Sequence, residues 1–334
     1  MPRLPNQKLK ILYLARILME QTDPEHPLTG QQLIAELARC GIECERKSLY
    51  DDLESLRSFG YSVETRRGRG FSYFLTDREF ELPELKLLAD AVASSRFITK
   101  KKSEELVAKL ASLTSRPLAR SLQRQVYVAN RVKSSNEQVY YNIDALHESV
   151  AEHRQISFRY FDYTVEKKKE YRKEGGEYVV SPCALVWDDD KYYLLAYYPK
   201  YHIILHFRVD KMERIRVLQD EAENPPEEMH FEPARYTQRM FGMFGGNEET
   251  VRLRFKNDLI GVVLDRFGQG VMVRRDGDDH FVVDVQVEVS PQFFGWLFGL
   301  GTSVTVVAPA EVAEQMRRRL LEAAGQYPQP QDRG

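Results

Sequence analysis

Arg46-Lys47-Ser48 and Tyr50 lie on a stretch in which Leu49, Leu53 and Leu56 recur at helical spacing, off the leucine face. Arginine and lysine can read the guanine edge, and serine and tyrosine hydroxyls suit phosphates. Arg66-Arg67-Gly68-Arg69-Gly70 falls between two alternating segments, 61 to 65 and 71 to 75, so three arginines would tip a hairpin. Farther along, Ser157 with Arg159, Tyr193 with Tyr197, and His206 with Arg208 lie at even spacings in strand-like runs, which puts the members of each set on one face. Should Arg159, Ser181, Tyr193, His206 and Arg208 converge, they offer cations, hydroxyls and an aromatic face to a phosphate-bearing, base-stacking ligand.

The elements that must position the first set are legible in the apolar periods. Ile11, Leu14, Ala15 and Leu18 predict a helix over about 7 to 21. Thr29 and Gln32 fit a capping box that opens a helix with Leu33, Ile34 and Leu37 on one face, and Gly41 suits its end. The leucine-spaced segment from Glu45 closes at Gly60. Two helices joined by a short glycine turn and followed by a basic hairpin read as a winged helix-turn-helix over 1–76, in which the start of the second helix of the pair meets DNA. The expected DNA-facing set is Thr29, Arg46, Lys47, Ser48, Tyr50, Arg66, Arg67 and Arg69. Glu45 stands where Ser, Thr or Asp would normally cap that helix.

Residues 77–139 read as a helical linker carrying Leu82, Leu85 and Leu88, then Leu106, Leu110 and Leu113. From 96 to 133 its basic residues far outnumber Glu104 and Glu105, which suits either a DNA backbone or bound anion, or a solvated helix face. A helix near Asn142 to His153 precedes five short alternating strands, 155–163, 177–184, 191–198, 203–208 and 215–218, with turn signals between them. Such a pattern predicts a small barrel of the SH3 or Sm kind over 140–220, with Phe207 pointing inward. Residues 221–248, acidic and rich in proline and glycine, read as a linker. The rest, 249–334, gives strand, helix, two strands, helix, strand and a terminal helix, a ferredoxin-like βαββαβ order. The fold class expected is therefore multidomain α+β.

Lys191-Tyr192-Tyr193-Leu194-Leu195-Ala196-Tyr197 and His206-Phe207-Arg208-Val209-Asp210-Lys211-Met212 closely resemble the core motifs of the WYL-domain transcriptional regulators. Arg46 to Leu53 resembles that family's recognition helix, and Phe80 to Leu85 its entry into the linker. Tyr192 stands where the eponymous Trp would be and keeps an aromatic platform, while Leu205 occupies a place where related sequences often have Arg. The resemblance implies an N-terminal winged helix, a helical linker, the WYL barrel and a C-terminal extension with Trp296, Gly301 and Pro309 as landmarks. It also implies sensing of nucleic-acid-derived ligands, single-stranded DNA included. Arg159, Ser181, Tyr192, Tyr193, Tyr197, His206 and Arg208 form the expected ligand set. Against it stands the plainer reading, in which Arg208 pairs with Asp210 or another carboxylate and the tyrosines are core. The C-terminal domain is expected to dimerise the chain or to clamp ligand.

With 48 Lys and Arg against 50 Asp and Glu, net −2, the chain of 334 residues is no polycation, so any nucleic-acid site is local. Three scattered cysteines make no disulfide framework, and the N-terminus has no signal-peptide core, which together point to the cytoplasm. The uncharged run 289–310 is broken by Pro291 and three glycines, unlike a membrane span. No hydrolase elbow, phosphate loop or zinc motif is present, so no enzyme activity, cofactor or metal is expected. The expected function is a homodimeric, sequence-specific DNA-binding regulator whose barrel senses an effector. The alternative is an accessory protein whose barrel holds single strands while the winged helix docks without sequence preference.

Overall fold

The computed structural model describes residues 9–68, 70–122, 138–229 and 231–327 of a mixed α/β chain that divides into two compact units, 1–140 and 141–334. In the first unit α1 (Lys10–Gln21), α2 (Gly30–Arg39) and α3 (Arg46–Phe59) pack with a small sheet. That sheet contains β1 (Leu28–Thr29), β2 (Val63–Arg67) and β3 (Phe71–Leu75) in the antiparallel order β1-β3-β2. Its core gathers Leu14, Ile17 and Leu18 of α1, Leu33 and Leu37 of α2, Leu49, Leu53 and Leu56 of α3, and Ile42, Val63, Tyr73 and Leu75. The capping box of Thr29 and Gln32 is formed, and Gly60, at φ +114°, ends α3 in a conformation a side chain would strain. Helices α4 (Leu82–Ser94), α5 (Lys100–Ala111) and α6 (Arg116–Leu122) follow, with Leu85, Ala111 and Leu122 in a core of their own. Of the basic residues noted in this stretch, Arg124, Arg131 and Lys133 lie outside the described residues.

A buried carboxylate joins these helices to the loop after α1. Asp23 accepts from His26 Nδ1 at 2.8 Å, from the backbone amides of Glu25 and His26 at 2.9 Å each, and from Ser115 Oγ at the start of α6. Nearby, Arg78 donates to the carbonyls of Met19 (2.8 Å) and Thr22 (2.7 Å). Burial alone would raise the Asp23 pKa; the hydrogen bonds from Ser115, His26 and Glu25 outweigh it and hold the carboxyl below its usual 3.8.

In the second unit α7 (Gln138–Ala151) leads into β4 (Arg154–Tyr163), β5 (Lys169–Tyr171), β6 (Tyr178–Asp188), β7 (Lys191–Tyr198), β8 (Ile203–Arg208) and β9 (Met212–Glu221). The strand order is β5-β4-β6-β7-β8, with β9 paired to β4. Register shifts interrupt the β4–β9 and β6–β7 pairings, and such bulges curl the sheet into a half-barrel. Asp189 and Asp190 both have positive φ, as a two-residue hairpin between β6 and β7 requires. The interior holds Ile156, Phe158, Val180, Leu194 and Phe207; the Phe207 ring lies 4.8 Å from Phe158 and 5.1 Å from Tyr178.

Residues 221–248, expected as a linker, are instead largely packed. They include α8 (Pro233–Gln238), and their apolar side chains Phe231, Tyr236, Met240 and Met243 pack on the barrel. Beyond them come β10 (Asn247–Lys256), α9 (Ile260–Phe267), β11 (Val273–Asp276), β12 (His280–Val289), α10 (Pro291–Gly299), β13 (Val304–Ala308) and α11 (Ala310–Gly325). Their sheet runs β11-β12-β10-β13, all antiparallel, over a core of Val251, Leu253, Phe255, Val283 and Phe293. Trp296 packs among Phe241, Phe255 and Phe267. Among the described residues no helix is long and apolar enough to cross a membrane.

Asp23→Ala should cost the first unit about 2 kcal/mol at neutral pH, because it strands the Ser115 hydroxyl and two amides. Since the folded pKa is depressed, the wild-type advantage is full above pH 3.8 and disappears as pH falls through the folded value. Hydrogen exchange of residues 10–122 in the full chain, wild type against variant, checks both points; equal protection at pH 7 would contradict them.

Candidate functional site

At the start of α3, Arg46 and Lys47 are exposed. Glu45 precedes them without making a side-chain cap. The Arg46 guanidinium leans back one turn, its Nε donating to Tyr50 Oη at 2.6 Å, while the half-buried Tyr50 ring rests 6.2 Å from Tyr73. Ser48 turns inward, its hydroxyl accepting from the buried Lys10 ammonium. Lys10 also lies 2.7 Å from Asp52, an ion pair whose angle is poor for a hydrogen bond and whose attraction is therefore mainly Coulombic. Together these contacts fasten the first turns of α3 to α1. Thr29 Oγ1 is likewise used locally, donating to Gln32 Oε1 at 2.9 Å and accepting the Gln32 amide at 3.3 Å.

On the hairpin, Arg66 folds back: its Nη2 donates to the Pro24 carbonyl at 2.5 Å and its guanidinium sits 5.2 Å from the Phe74 ring centre. Arg67 is exposed, and Arg69 lies outside the described residues. Among the described residues the exposed cations of the expected set are thus Arg46, Lys47, Arg66 and Arg67, with the Arg66 guanidinium also held to the Pro24 carbonyl. A contact not anticipated from sequence is Arg57, which donates from Nε to the Val63 carbonyl and from Nη2 to Thr65 Oγ1, each at 2.7 Å, tying α3 to β2. Only its place in the last turn of α3, just before the hairpin, could have signalled this.

The barrel set separates into groups. Antiparallel register places Tyr193 opposite Arg208 and Leu195 opposite His206, so Tyr193, His206 and Arg208 do share a face. Ser181 and Tyr197 are paired farther along β7 and are buried; Ser181 Oγ accepts the Glu223 amide at 2.8 Å, and Tyr197 Oη meets His202 Nδ1 at 2.9 Å. Tyr192, one residue off and on the opposite face, packs edge-on to Trp187 at 4.7 Å. Arg159 sits on β4 opposite Glu213, with its Nε buried and making no hydrogen bond. Of these, Tyr192 points away from the Tyr193 face; Ser181 and Tyr197 lie on the Tyr193 side by register, but their hydroxyls are taken up by the Glu223 amide and His202.

On that face Arg208 makes a two-pronged pair with Asp210, Nε to Oδ1 at 3.1 Å and Nη2 to Oδ2 at 2.7 Å. Burial works against its charge, and Asp210 outweighs the effect, so the guanidinium pKa is raised. The plainer expectation for Arg208, a carboxylate partner, is what the structure contains. Tyr193 is buried, and burial pushes its phenol up. His206 uses both ring nitrogens: Nδ1 lies 3.1 Å from the Met243 carbonyl and Nε2 lies 3.0 Å from Tyr236 Oη. A carbonyl can only accept, so Nδ1 carries the proton and Nε2 accepts from Tyr236. Burial holds the imidazole below its usual range and pushes the Tyr236 phenol up to about 12, which keeps both groups neutral in these roles.

A second cluster was not foreseen. Arg172 lies 5.0 Å from the Tyr160 ring centre, and Lys173 lies 3.7 Å from that of Tyr178 while its Nζ donates to Tyr198 Oη at 2.7 Å. Both come from a turn in which Lys173, Glu174 and Gly175 have positive φ. Tyr160 Oη in turn accepts the Arg208 backbone amide at 3.2 Å, and the Tyr160 and Tyr178 rings lie against Phe207, on the side of the sheet opposite the Arg208 side chain. Among the described residues no group of three His, Cys, Asp or Glu side chains could hold a metal ion.

Two family models match stretches of the second unit. The WYL domain model matches residues 141–217 and the WCX domain model residues 247–324. No curated protein matches the chain. Among solved structures, proteasome accessory factor B/C (PafBC) of Arthrobacter aurescens is 18% identical with a TM-score of 0.29, covering 96% of this chain and 49% of its own. This chain thus spans about half the length of that protein. A CRISPR Cas-related protein is 11% identical with a TM-score of 0.37, covering 93% of this chain and 97% of its own. The chain therefore carries a WYL domain over 141–217 followed by a WCX domain over 247–324.

Proposed function

We propose that the protein is a sequence-specific DNA-binding transcriptional regulator whose WYL barrel senses a nucleic-acid-derived effector, single-stranded DNA or a nucleotide. The observation that carries this reading is the pairing of WYL and WCX domains with an N-terminal helical unit that turns Arg46, Lys47 and Arg67 to solvent. In this reading residues 1–76 are a winged helix-turn-helix. Helix α3 enters the major groove, Arg46 meets a base edge and Arg67 on the wing meets phosphate. Residues 77–139 link it to an SH3- or Sm-like barrel over 140–220. A ferredoxin-like domain over 249–334, supported by its strand order, serves dimerisation or ligand clamping. The chain works as a homodimer in the cytoplasm and catalyses no reaction.

The effector site lies where Tyr193, His206 and Arg208 share a face. An incoming phosphate would replace Asp210 on the Arg208 fork, whose geometry fits either partner. Effector binding changes operator affinity only to the extent that it favours one of two states.

Arg46→Ala should narrow the affinity gap between operator and scrambled duplex about tenfold or more, whereas Arg67→Ala should weaken both duplexes alike. Fluorescence anisotropy at fixed salt measures this, and an equal loss on both duplexes for Arg46→Ala would count against base reading. Arg208→Ala should leave operator binding in place and abolish its response to a single-stranded oligonucleotide. Asp210→Asn, which frees the fork, should bind the oligonucleotide about tenfold more tightly than wild type. An unaltered oligonucleotide affinity in both variants would remove Arg208 from the site.

A further inference from the structure

Residues 231–246 make contacts on two sides. Toward the barrel, Tyr236 and the Met243 carbonyl satisfy His206, while Met240, Met243, Phe231 and Tyr236 pack with Tyr193, Leu195, Ala184 and Val186. Toward the C-terminal domain, Arg266 of α9 donates to the Met240 carbonyl and stacks on Phe241 at 3.9 Å. The Arg239 carbonyl accepts the Glu288 amide at 2.9 Å, and the Gly246 amide returns a bond to Glu288 Oε2 at 2.9 Å. At Gly246 a Cβ would stand 2.2 Å from the Val289 carbonyl oxygen, so only glycine allows the segment to pass there. Where the segment meets α9, Gln238, Arg239, Arg266 and Phe267 line a cavity of about 530 Å³, so this side has room for rearrangement.

The face covered is the one that the effector reading needs. Tyr193 and His206 are reachable by a ligand only if Tyr236, Met240 and Met243 leave them. Toward the barrel the described contacts of the segment include the two bonds to His206 and an apolar cluster; toward the C-terminal domain they include backbone bonds and the half-buried Arg266 guanidinium. We propose that residues 231–243 are a built-in competitor for the barrel's ligand face, and that their displacement carries effector binding to the C-terminal domain through Arg266 and α9. This rests on the effector reading and adds what the ligand must displace and which contact relays the change.

The test uses the full chain, with Tyr236→Phe to cut one His206 bond while keeping the ring. Tyr171→Phe, which cuts the bond from Tyr171 Oη to Glu213 on β9, away from the segment, is the control. Hydrogen exchange is followed at residues 231–246 and 260–267, and affinity is measured for a single-stranded oligothymidylate. Tyr236→Phe is expected to exchange about tenfold faster in both regions and to bind the oligonucleotide more tightly by a similar factor, with neither change in the control. Faster exchange with unchanged affinity, where wild type does bind, would overturn the competition. If neither protein binds the oligonucleotide, the effector reading fails. The exchange data then judge the relay by themselves, and acceleration that is absent or confined to 231–246 would overturn it.

Discussion

Successive side chains on a strand must point to opposite sides of the sheet, and β8 turns that constraint into the organisation of the whole second unit. Phe207 points inward and meets Phe158, Tyr160 and Tyr178. His206 and Arg208 therefore point the other way, onto a face shared with Tyr193. Because that face is largely buried, its polar groups need partners. Arg208 finds Asp210 two residues on, and His206 finds Tyr236 and the Met243 carbonyl. The packing of residues 231–246 follows from this need as much as from their apolar side chains.

The first unit obeys the same rule with charges. Lys10 and Asp23 are buried, and each is compensated by contacts distant in sequence: Lys10 by Ser48 and Asp52, Asp23 by Ser115. The two contacts do different work. One sets the first turns of α3, and with them the direction in which Arg46 and Lys47 project; the other anchors α6 to the loop after α1.

The apolar period made the long elements legible. Helices α1 to α3 and strands β4, β7, β8 and β12 show in sequence because a face of three or more residues repeats at 3.6 or 2. Strands β1 and β5, two and three residues long, have no period to read. Proline and glycine made residues 221–248 look like a linker, although Tyr236, Met240 and Met243 stand at helical spacing and hinted at a packed face. At the sites, residue type identified cations but not their partners. Parity along β7 and β8 grouped Tyr193 with His206 and Arg208, whereas the burial of Ser181 and Tyr197 depends on Glu223 and His202, contacts that strand alternation does not reveal. Arg172 and Lys173 escaped notice because a turn with positive φ, and no strand, aims them at the tyrosines.

In the proposed function, an effector on the barrel face that residues 231–246 cover alters affinity for duplex DNA. The most direct measurement is anisotropy of the wild-type protein on a duplex from its own upstream region and on a scrambled duplex, at one stated salt concentration, with and without a short single-stranded oligonucleotide. The account predicts preference for the native duplex and a change in that affinity that saturates with the oligonucleotide. Duplex binding indifferent to sequence, with the single strand merely competing for the same site, would contradict it.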